Sequence, residues 1–227
     1  MLPNKSILVT QSEENYLKSI YNLGKRGSHA VSTNAIAEKV EAKASSVTDM
    51  LKKLSEKQLV NYVKYQGVSL TNDGKRTAAN VVRKHRLWEV FLVNKLNFSW
   101  DEVHDIAEQL EHIKSEKLVN ELNDFLGNPT HDPHGDPIPD KDGNSPKFQK
   151  ILLSQINQQV VCICTGVKDS SASFLKYLDK HRIALGTTIQ VLTKESFDES
   201  MTIKINNSVL TISKEIANNL YVKISQL

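Results

Sequence analysis

Five of the six prolines in this 227-residue chain fall between Pro129 and Pro146, in the stretch NPTHDPHGDPIPDKDGNSP. Proline locks φ and lacks a backbone donor, so neither a helix nor a central strand runs through such a segment. It reads as a linker between two kinds of sequence. Before it, apolar residues recur at helical spacing; after it, they alternate as in strands. No stretch approaches the roughly 18 consecutive apolar residues that a spanning helix needs. The opening MLPNKSILVTQSEENY turns charged too soon for a signal peptide. The expectation is a cytoplasmic protein with no membrane partner. Cys162 and Cys164 are the only cysteines, and a bridge between residues two apart would be strained. They read as buried thiols on one face of a strand.

The N-terminal part has the pattern of a small DNA-reading module. Tyr16, Leu17, Ile20, Tyr21 and Leu23 give a helical stripe over Glu13 to Leu23, with Ser12 as the expected cap. A short helix over Val31 to Val40 and a break at Glu41-Ala42-Lys43-Ala44 follow. A third helix, capped by Ser45, then runs to about Lys57 with Val47, Met50, Leu51 and Leu54 inward. Two short helices across a tight turn make a helix-turn-helix. Leu59 to Leu70 then reads as a hairpin around Gln66-Gly67, and together these make a winged helix. The outer face of its third helix carries Lys43, Ser45, Ser46, Thr48, Asp49, Lys52 and Lys53, and the wing carries Lys64. Hydroxyls, an acid and lysines together can read base edges and hold phosphates. The duller alternative is a tri-helical packing module. Charge favours the first: residues 1–76 carry +5, residues 77–126 carry −3 and residues 127–227 carry +1. A basic first third suits a polyanion such as double-stranded DNA.

The middle third is acidic and holds the residues that carry chemistry. A long helix from Thr71 to about Leu96 bears His85 and Glu89, one turn apart. Ser99 and Glu102 form a capping box for the next helix, which is expected to reach Ile113 and bears His104, Glu108, Glu111 and His112 on one face. A further helix runs from Ser115 to Gly127. Imidazole with carboxylate is a ligand set for Mn, Fe, Co, Ni or Zn, and too rich in nitrogen for Ca or Mg. His104 and His112 stand eight residues apart, about 12 Å along a helix axis, so one ion cannot hold both. The set therefore splits into Glu108, Glu111 and His112 at one site, and His85, Glu89 and His104 at another. His131 and His134 read as ordinary linker residues. Beyond the linker, strands over Gln159–Val167, Thr187–Leu192, Met201–Ile205, Ser208–Ile212 and Leu220–Ile224, with a short helix over Phe174–His181, make a small β-barrel.

These motifs together resemble the metal-dependent repressors of the diphtheria-toxin-repressor and manganese-transport-regulator type. SEENYLKSIYNL is similar to the family's first helix, and IAEKVEAKASSVTDMLKKLSEKQLVNYVKYQGVSLTNDGK to its winged helix. VRKHRLWEVFL and VHDIAEQLEHI are similar to its metal-binding helices, DPHGDPIP to its linker, and the tail to the SH3-like domain of longer members. The resemblance implies an α+β chain in three parts: a winged helix-turn-helix over 1–73, a helical metal-binding and dimerisation domain over 74–145, and an SH3-like domain over 146–227. It implies a homodimer that represses transcription when a divalent ion binds. Glu108, Glu111 and His112 then match the primary site, and His85, Glu89 and His104 the ancillary one. Asn15 falls where a first-helix ligand sits. Glu108 stands where iron-type members have Cys, and a hard oxygen donor favours Mn(II), then Fe(II), with Co(II) or Zn(II) as substitutes in vitro. Lys18 replaces an acid of the paired-ion arrangement in short manganese-type members. Ser170 and Ser173 stand where iron-type members add an acid and an amide, with Asp169 the nearest carboxylate. The rivals are a di-metal hydrolase, for which no nucleophile elbow or phosphate loop is evident, and a winged-helix regulator of an organic ligand.

Overall fold

The computed structural model describes residues 8–63, 66–145 and 151–225. It forms two compact units: one gathers the chain up to Arg86 with Glu108–Asn120 and Pro139–Ser145, and the other gathers Leu87–Ala107, Glu121–Ile138 and the chain beyond the linker.

The first unit begins with α1 (Gln11–Leu23), α2 (Thr33–Lys39) and α3 (Ala44–Glu56). Thr10, rather than Ser12, caps α1. The reason is Glu13, which stands three residues beyond Thr10 and completes a reciprocal box: Thr10 Oγ1 accepts from the Glu13 amide at 3.3 Å, and Glu13 Oε2 accepts from the Thr10 amide at 2.8 Å. Helix α3 starts one residue before the expected cap, with Lys43 at its N-cap, which leaves Ser45 and Ser46 on the exposed face. The turn between α2 and α3 passes through Glu41 at a φ of 51°. Strands β1 (Val60–Val63) and β2 (Gly67–Leu70) pair antiparallel, with Val60 opposite Leu70 and Val63 opposite Gly67. Lys64 lies outside the described residues.

Leu17, Ile20, Ile36, Val47, Leu51, Leu54, Leu59 and Val68 are fully buried in one core with Ala78, Ala79 and Val82 of the long helix α4 (Asn72–Leu96). Truncating any of these leucines to alanine would cost about 2–5 kcal/mol, through lost burial and the cavity left behind. Gly74 allows α4 to start against the wing: a Cβ there would stand 1.9 Å from the Leu59 carbonyl oxygen.

In the second unit the linker is an ordered turn. Asp132 Oδ1 accepts from the amides of His134 and Asp136, each at 2.9 Å, and Gly135 has a φ of 83°. A Cβ on Gly135 would meet the Thr165 carbonyl oxygen at 2.0 Å, so only glycine lets the turn lie flat on β4 (Val161–Val167). Six strands then form one antiparallel sheet in the order β3-β8-β4-β5-β6-β7, where β3 is Ile151–Leu152, β5 Thr188–Lys194, β6 Met201–Ile205, β7 Ser208–Ile212 and β8 Leu220–Ile224. The β6–β7 hairpin turns at Asn206, which adopts a φ of 52°. Helix α7 (Ala172–Lys180) covers a core of Leu153, Leu175, Leu178, Ile183, Ile189, Val191 and Ile203. Trp100 belongs to the same core. Cys162 and Cys164 are buried in it, and burial pushes both thiols up to about 11.

Glu13 is fully buried, with Lys57 Nζ at 2.8 Å and Lys53 Nζ at 3.2 Å, so α1 is joined to the C-terminal end of α3 by two ion pairs to a buried acid. Burial pushes its carboxyl up, but the hydrogen bonds from Lys57, the Thr10 amide and Lys53 outweigh that and hold it at about 2. Glu13→Gln should therefore destabilise the metal-free protein at neutral pH by about 2 kcal/mol, since charge-assisted bonds are lost. A depressed acid contributes above its unfolded value and loses that contribution as pH falls through the folded one. In urea unfolding, the gap between parent and variant should close as pH drops from 4.5 toward about 2.

Candidate metal centre

The outer face of α3 is arranged as the sequence suggests. Lys43, Ser45, Ser46, Asp49, Lys52 and Lys53 are exposed and Thr48 is half-buried. Three of these side chains are in ion pairs: Lys52 pairs with Asp49 at 3.3 Å, and Lys53 with Glu13. The Thr48 hydroxyl donates to the Ala44 carbonyl at 2.9 Å.

The first histidine–carboxylate set is built in the first unit from α1, α4 and the end of α5. Helix α5 spans Val103–Leu110, so it stops short of the expected Ile113, and Glu111 and His112 sit in the turn that follows. Glu111 is buried. His85 Nδ1 donates to its Oε2 at 2.6 Å, and Lys18 Nζ donates to the same oxygen at 2.7 Å. Lys18 also reaches Glu108 Oε1 at 3.4 Å, and Glu108 is half exposed. His112 Nε2 lies 3.9 Å from Glu111 Oε1. Burial raises the Glu111 carboxyl, yet the His85 hydrogen bond and the Lys18 charge together leave it below the usual carboxylate range.

Helix α1 supplies a residue that the sequence reading passed over. Asn15 is exposed, whereas Glu14 Oε2 lies 2.5 Å from His112 Nδ1, with Lys84 Nζ 3.8 Å from its other oxygen. A signal existed: Glu14 and Lys18 are four apart, one acid and one base on the helix face that meets the second half of the set. His85 Nδ1 is engaged with Glu111, while His85, Glu89 and His104 also each bring a ligand atom within 4.8 Å of the others, the grouping that the sequence suggests.

The second set lies in the second unit. Glu89 is buried, with His104 Nδ1 at 3.6 Å from Oε1 and His134 Nδ1 at 3.8 Å from Oε2. Glu89, Asp132 and His134 are all buried and each brings a ligand atom within 4.8 Å of the others. His134 is thus no ordinary linker residue. Its Nε2 donates to the Trp100 carbonyl oxygen at 2.9 Å, and its ring lies parallel to the Trp100 indole. Burial would lower this imidazole, but the Glu89 hydrogen bond, its charge and that of Asp132 raise it to about 9. The only sequence hint was the Asp-Pro-His-Gly turn, which aims the ring inward because Asp132 ties its backbone. Asp169, by contrast, is spent on the turn into α7, where Oδ1 accepts from the Ser171 amide at 2.8 Å; Ser171 Oγ and Ser173 Oγ lie 3.4 Å apart.

Both sets are buried carboxylates with imidazoles, and both have a cation against the carboxylate: the Lys18 ammonium in one, a protonated His134 in the other. Their donors are oxygen and nitrogen alone, while both thiols are buried in the barrel core. Such sets fit a divalent ion of the Mn to Zn series.

Comparison with known proteins gives three family matches in chain order. Residues 8–68 match the iron dependent repressor N-terminal DNA binding domain, residues 71–140 the iron dependent repressor metal binding and dimerisation domain, and residues 151–224 the FeoA domain. A solved manganese-dependent transcriptional repressor in complex with manganese superposes with a TM-score of 0.82 at 34% identity, covering 94% of this chain and all of the other. The HTH-type transcriptional regulator MntR of Oceanobacillus iheyensis is 35% identical over 117 residues, which are 52% of this chain and 78% of the relative. The iron-dependent repressor IdeR of Mycobacterium leprae is 34% identical over 131 residues, 58% of this chain, and the match spans only 56% of that protein's own length.

Replacing His134 by Phe keeps the ring against Trp100 and removes the cation beside Glu89. We expect a loss of about 3–5 kcal/mol in chelator-treated protein, measured by chemical unfolding, because a buried carboxylate loses a charged partner.

Proposed function

The chain belongs to the family of iron- and manganese-dependent repressors, and on that premise we propose that it is a transcriptional repressor of metal homeostasis whose operator affinity is set by a divalent ion. Mn(II) is the favoured ion and Fe(II) the second, with Co(II) and Zn(II) as substitutes in vitro. The observation that carries the reading is the buried Glu111. It is flanked by His85, with Glu108 and His112 beside it, in the same unit as the helix that would read DNA. Glu108, Glu111 and His112 would hold the regulatory ion, with the α1 residue Glu14 beside them and Asn15 one residue away. When bound, the ion supplies positive charge that draws these groups together. The protein's part is to present them from α1, α4 and the turn after α5, so that binding changes how α1 is held. His85, Glu89 and His104 would form the ancillary site, with Asp132 and His134 beside Glu89.

The DNA-facing groups would be Lys43, Ser45, Ser46, Thr48, Asp49, Lys52 and Lys53 of the α3 region, with Lys64 of the wing. Winged-helix proteins of this kind read two half-sites as dimers. The exposed Leu96, Leu118 and Phe125 on α4 and α6 (Glu116–Phe125) support a homodimer interface on the helical part. In this reading the three functional parts are 1–73, 74–145 and 146–227. The proposed role is regulatory and involves no catalysis.

The test is operator affinity titrated with Mn(II), Fe(II), Co(II) and Zn(II). Tight binding should require metal and weaken with salt; strong specific binding after complete chelation would overturn the reading. Glu108→Cys should move the ranking from Mn(II) toward Fe(II), Co(II) or Zn(II), because a soft sulfur replaces a hard oxygen. His112→Ala should abolish the response to every metal, and His134→Ala should only weaken it. An unchanged ranking for Glu108→Cys would remove Glu108 from the ligands.

A further inference from the structure

We propose that Lys18 is a built-in competitor for the regulatory ion: its ammonium occupies the place between Glu108 and Glu111 that a metal needs, and so sets the metal concentration to which the protein responds. This rests on the reading of Glu108, Glu111 and His112 as ligands.

Three distances carry it. Lys18 Nζ is 2.7 Å from Glu111 Oε2, 3.4 Å from Glu108 Oε1 and 3.3 Å from His85 Nδ1. The Lys18 side chain is only 13% exposed and that of Glu111 1%, so the contact is shielded from solvent. A metal bound to these carboxylate oxygens would sit at about 2.0–2.2 Å from each. An ion there and an ammonium at its present distances would overlap, and both are cations. Metal entry and the observed Lys18 position are therefore mutually exclusive.

The lysine is also a persistent competitor. It is anchored on α1, whose Leu17 and Ile20 are fully buried in the winged-helix core, so its effective concentration at the site does not fall with dilution. The apparent affinity for metal is the intrinsic affinity reduced by the fraction of molecules in which Lys18 has moved aside. The same arrangement gives the metal-free protein a reason to stay folded, because Glu111 is never left without a cation. Displacing Lys18 releases one of the ties between α1 and the turn that bears Glu111; another is the Glu14–His112 contact. The competitor thus sits on the element through which the ion would act on the DNA-reading helix.

The experiment measures Mn(II) binding to the full chain by competition with a fluorescent chelator, alongside thermal unfolding with and without Mn(II). The proteins are the parent, Lys18→Gln, Lys18→Met, Lys18→Arg and Glu111→Gln. Lys18→Gln and Lys18→Met should bind Mn(II) about tenfold tighter or more, which corresponds to a metal-ready fraction of about a tenth or less in the parent. Their metal-free unfolding temperature should fall, while the gain on adding Mn(II) grows. Lys18→Arg keeps the charge and should stay within about threefold of the parent. In stopped flow the parent's association rate should level off at high Mn(II), limited by departure of Lys18, and that of Lys18→Gln should keep rising. Glu111→Gln should lose the site. If Glu111→Gln loses it and both neutral Lys18 variants bind no tighter than the parent, the competitor role is overturned and the ligand reading stands. If Glu111→Gln binds Mn(II) unchanged, the ligand reading itself falls. If a neutral variant folds only with Mn(II) present, the stopped-flow comparison passes to the other.

Discussion

A carboxylate taken out of water has to be met by a cation, and three buried glutamates among the described residues meet that demand. Glu13 is held by Lys57 and Lys53, Glu111 by Lys18, and Glu89 by His134. Leaving one such acid unpartnered would cost about 3–5 kcal/mol, a large share of a typical domain's stability. The positions of α1, the turn after α5 and the linker are therefore coupled to where these charges can be neutralised. Two of the three acids lie in sets that also offer imidazole, so their neutralising cations stand where a metal would do the same work.

Helix α1 carries the consequences. Within six residues it presents Glu13 toward α3, Glu14 toward His112 and Lys18 toward Glu111. Leu17 and Ile20, on the same face as Glu13, anchor it in the core. A change in what Glu111 or His112 binds is thus felt by the same short helix whose first turn grips the C-terminal half of α3. That is a chain of direct contacts within one compact unit, made of groups that have an alternative partner available. Packed interiors shift between discrete arrangements rather than deforming smoothly, so such a helix suits a two-state response.

The linker has a comparable role in the second unit. Its prolines exclude regular structure, but Asp132 closes the turn, Gly135 lets it lie on β4, and His134 is driven inward beside Trp100 and Glu89. A segment that composition marks as a spacer is built as a wall of the second histidine–carboxylate cluster. The barrel contributes rigidity to that wall through β4, whose Val167 amide donates to the His134 carbonyl.

What the sequence by itself determined is the set of local elements and the residue types that chemistry would need. The winged helix, the long α4, the strands beyond the linker and six of the seven metal-site candidates could be read from period and spacing, because periodicity and capping are properties of near neighbours in the chain. What only the tertiary structure decided is which charge meets which. Glu14 took the contact with His112 while Asn15 stayed exposed, His85 turned to Glu111, and His134 left the linker for Glu89. Lys18, read only as a departure from a family pattern, became the cation of the first set. None of these pairings has a sequence period, since the partners stand up to 98 residues apart. They follow from burial, which removes water as a competitor and makes each buried charge accept the nearest group able to neutralise it.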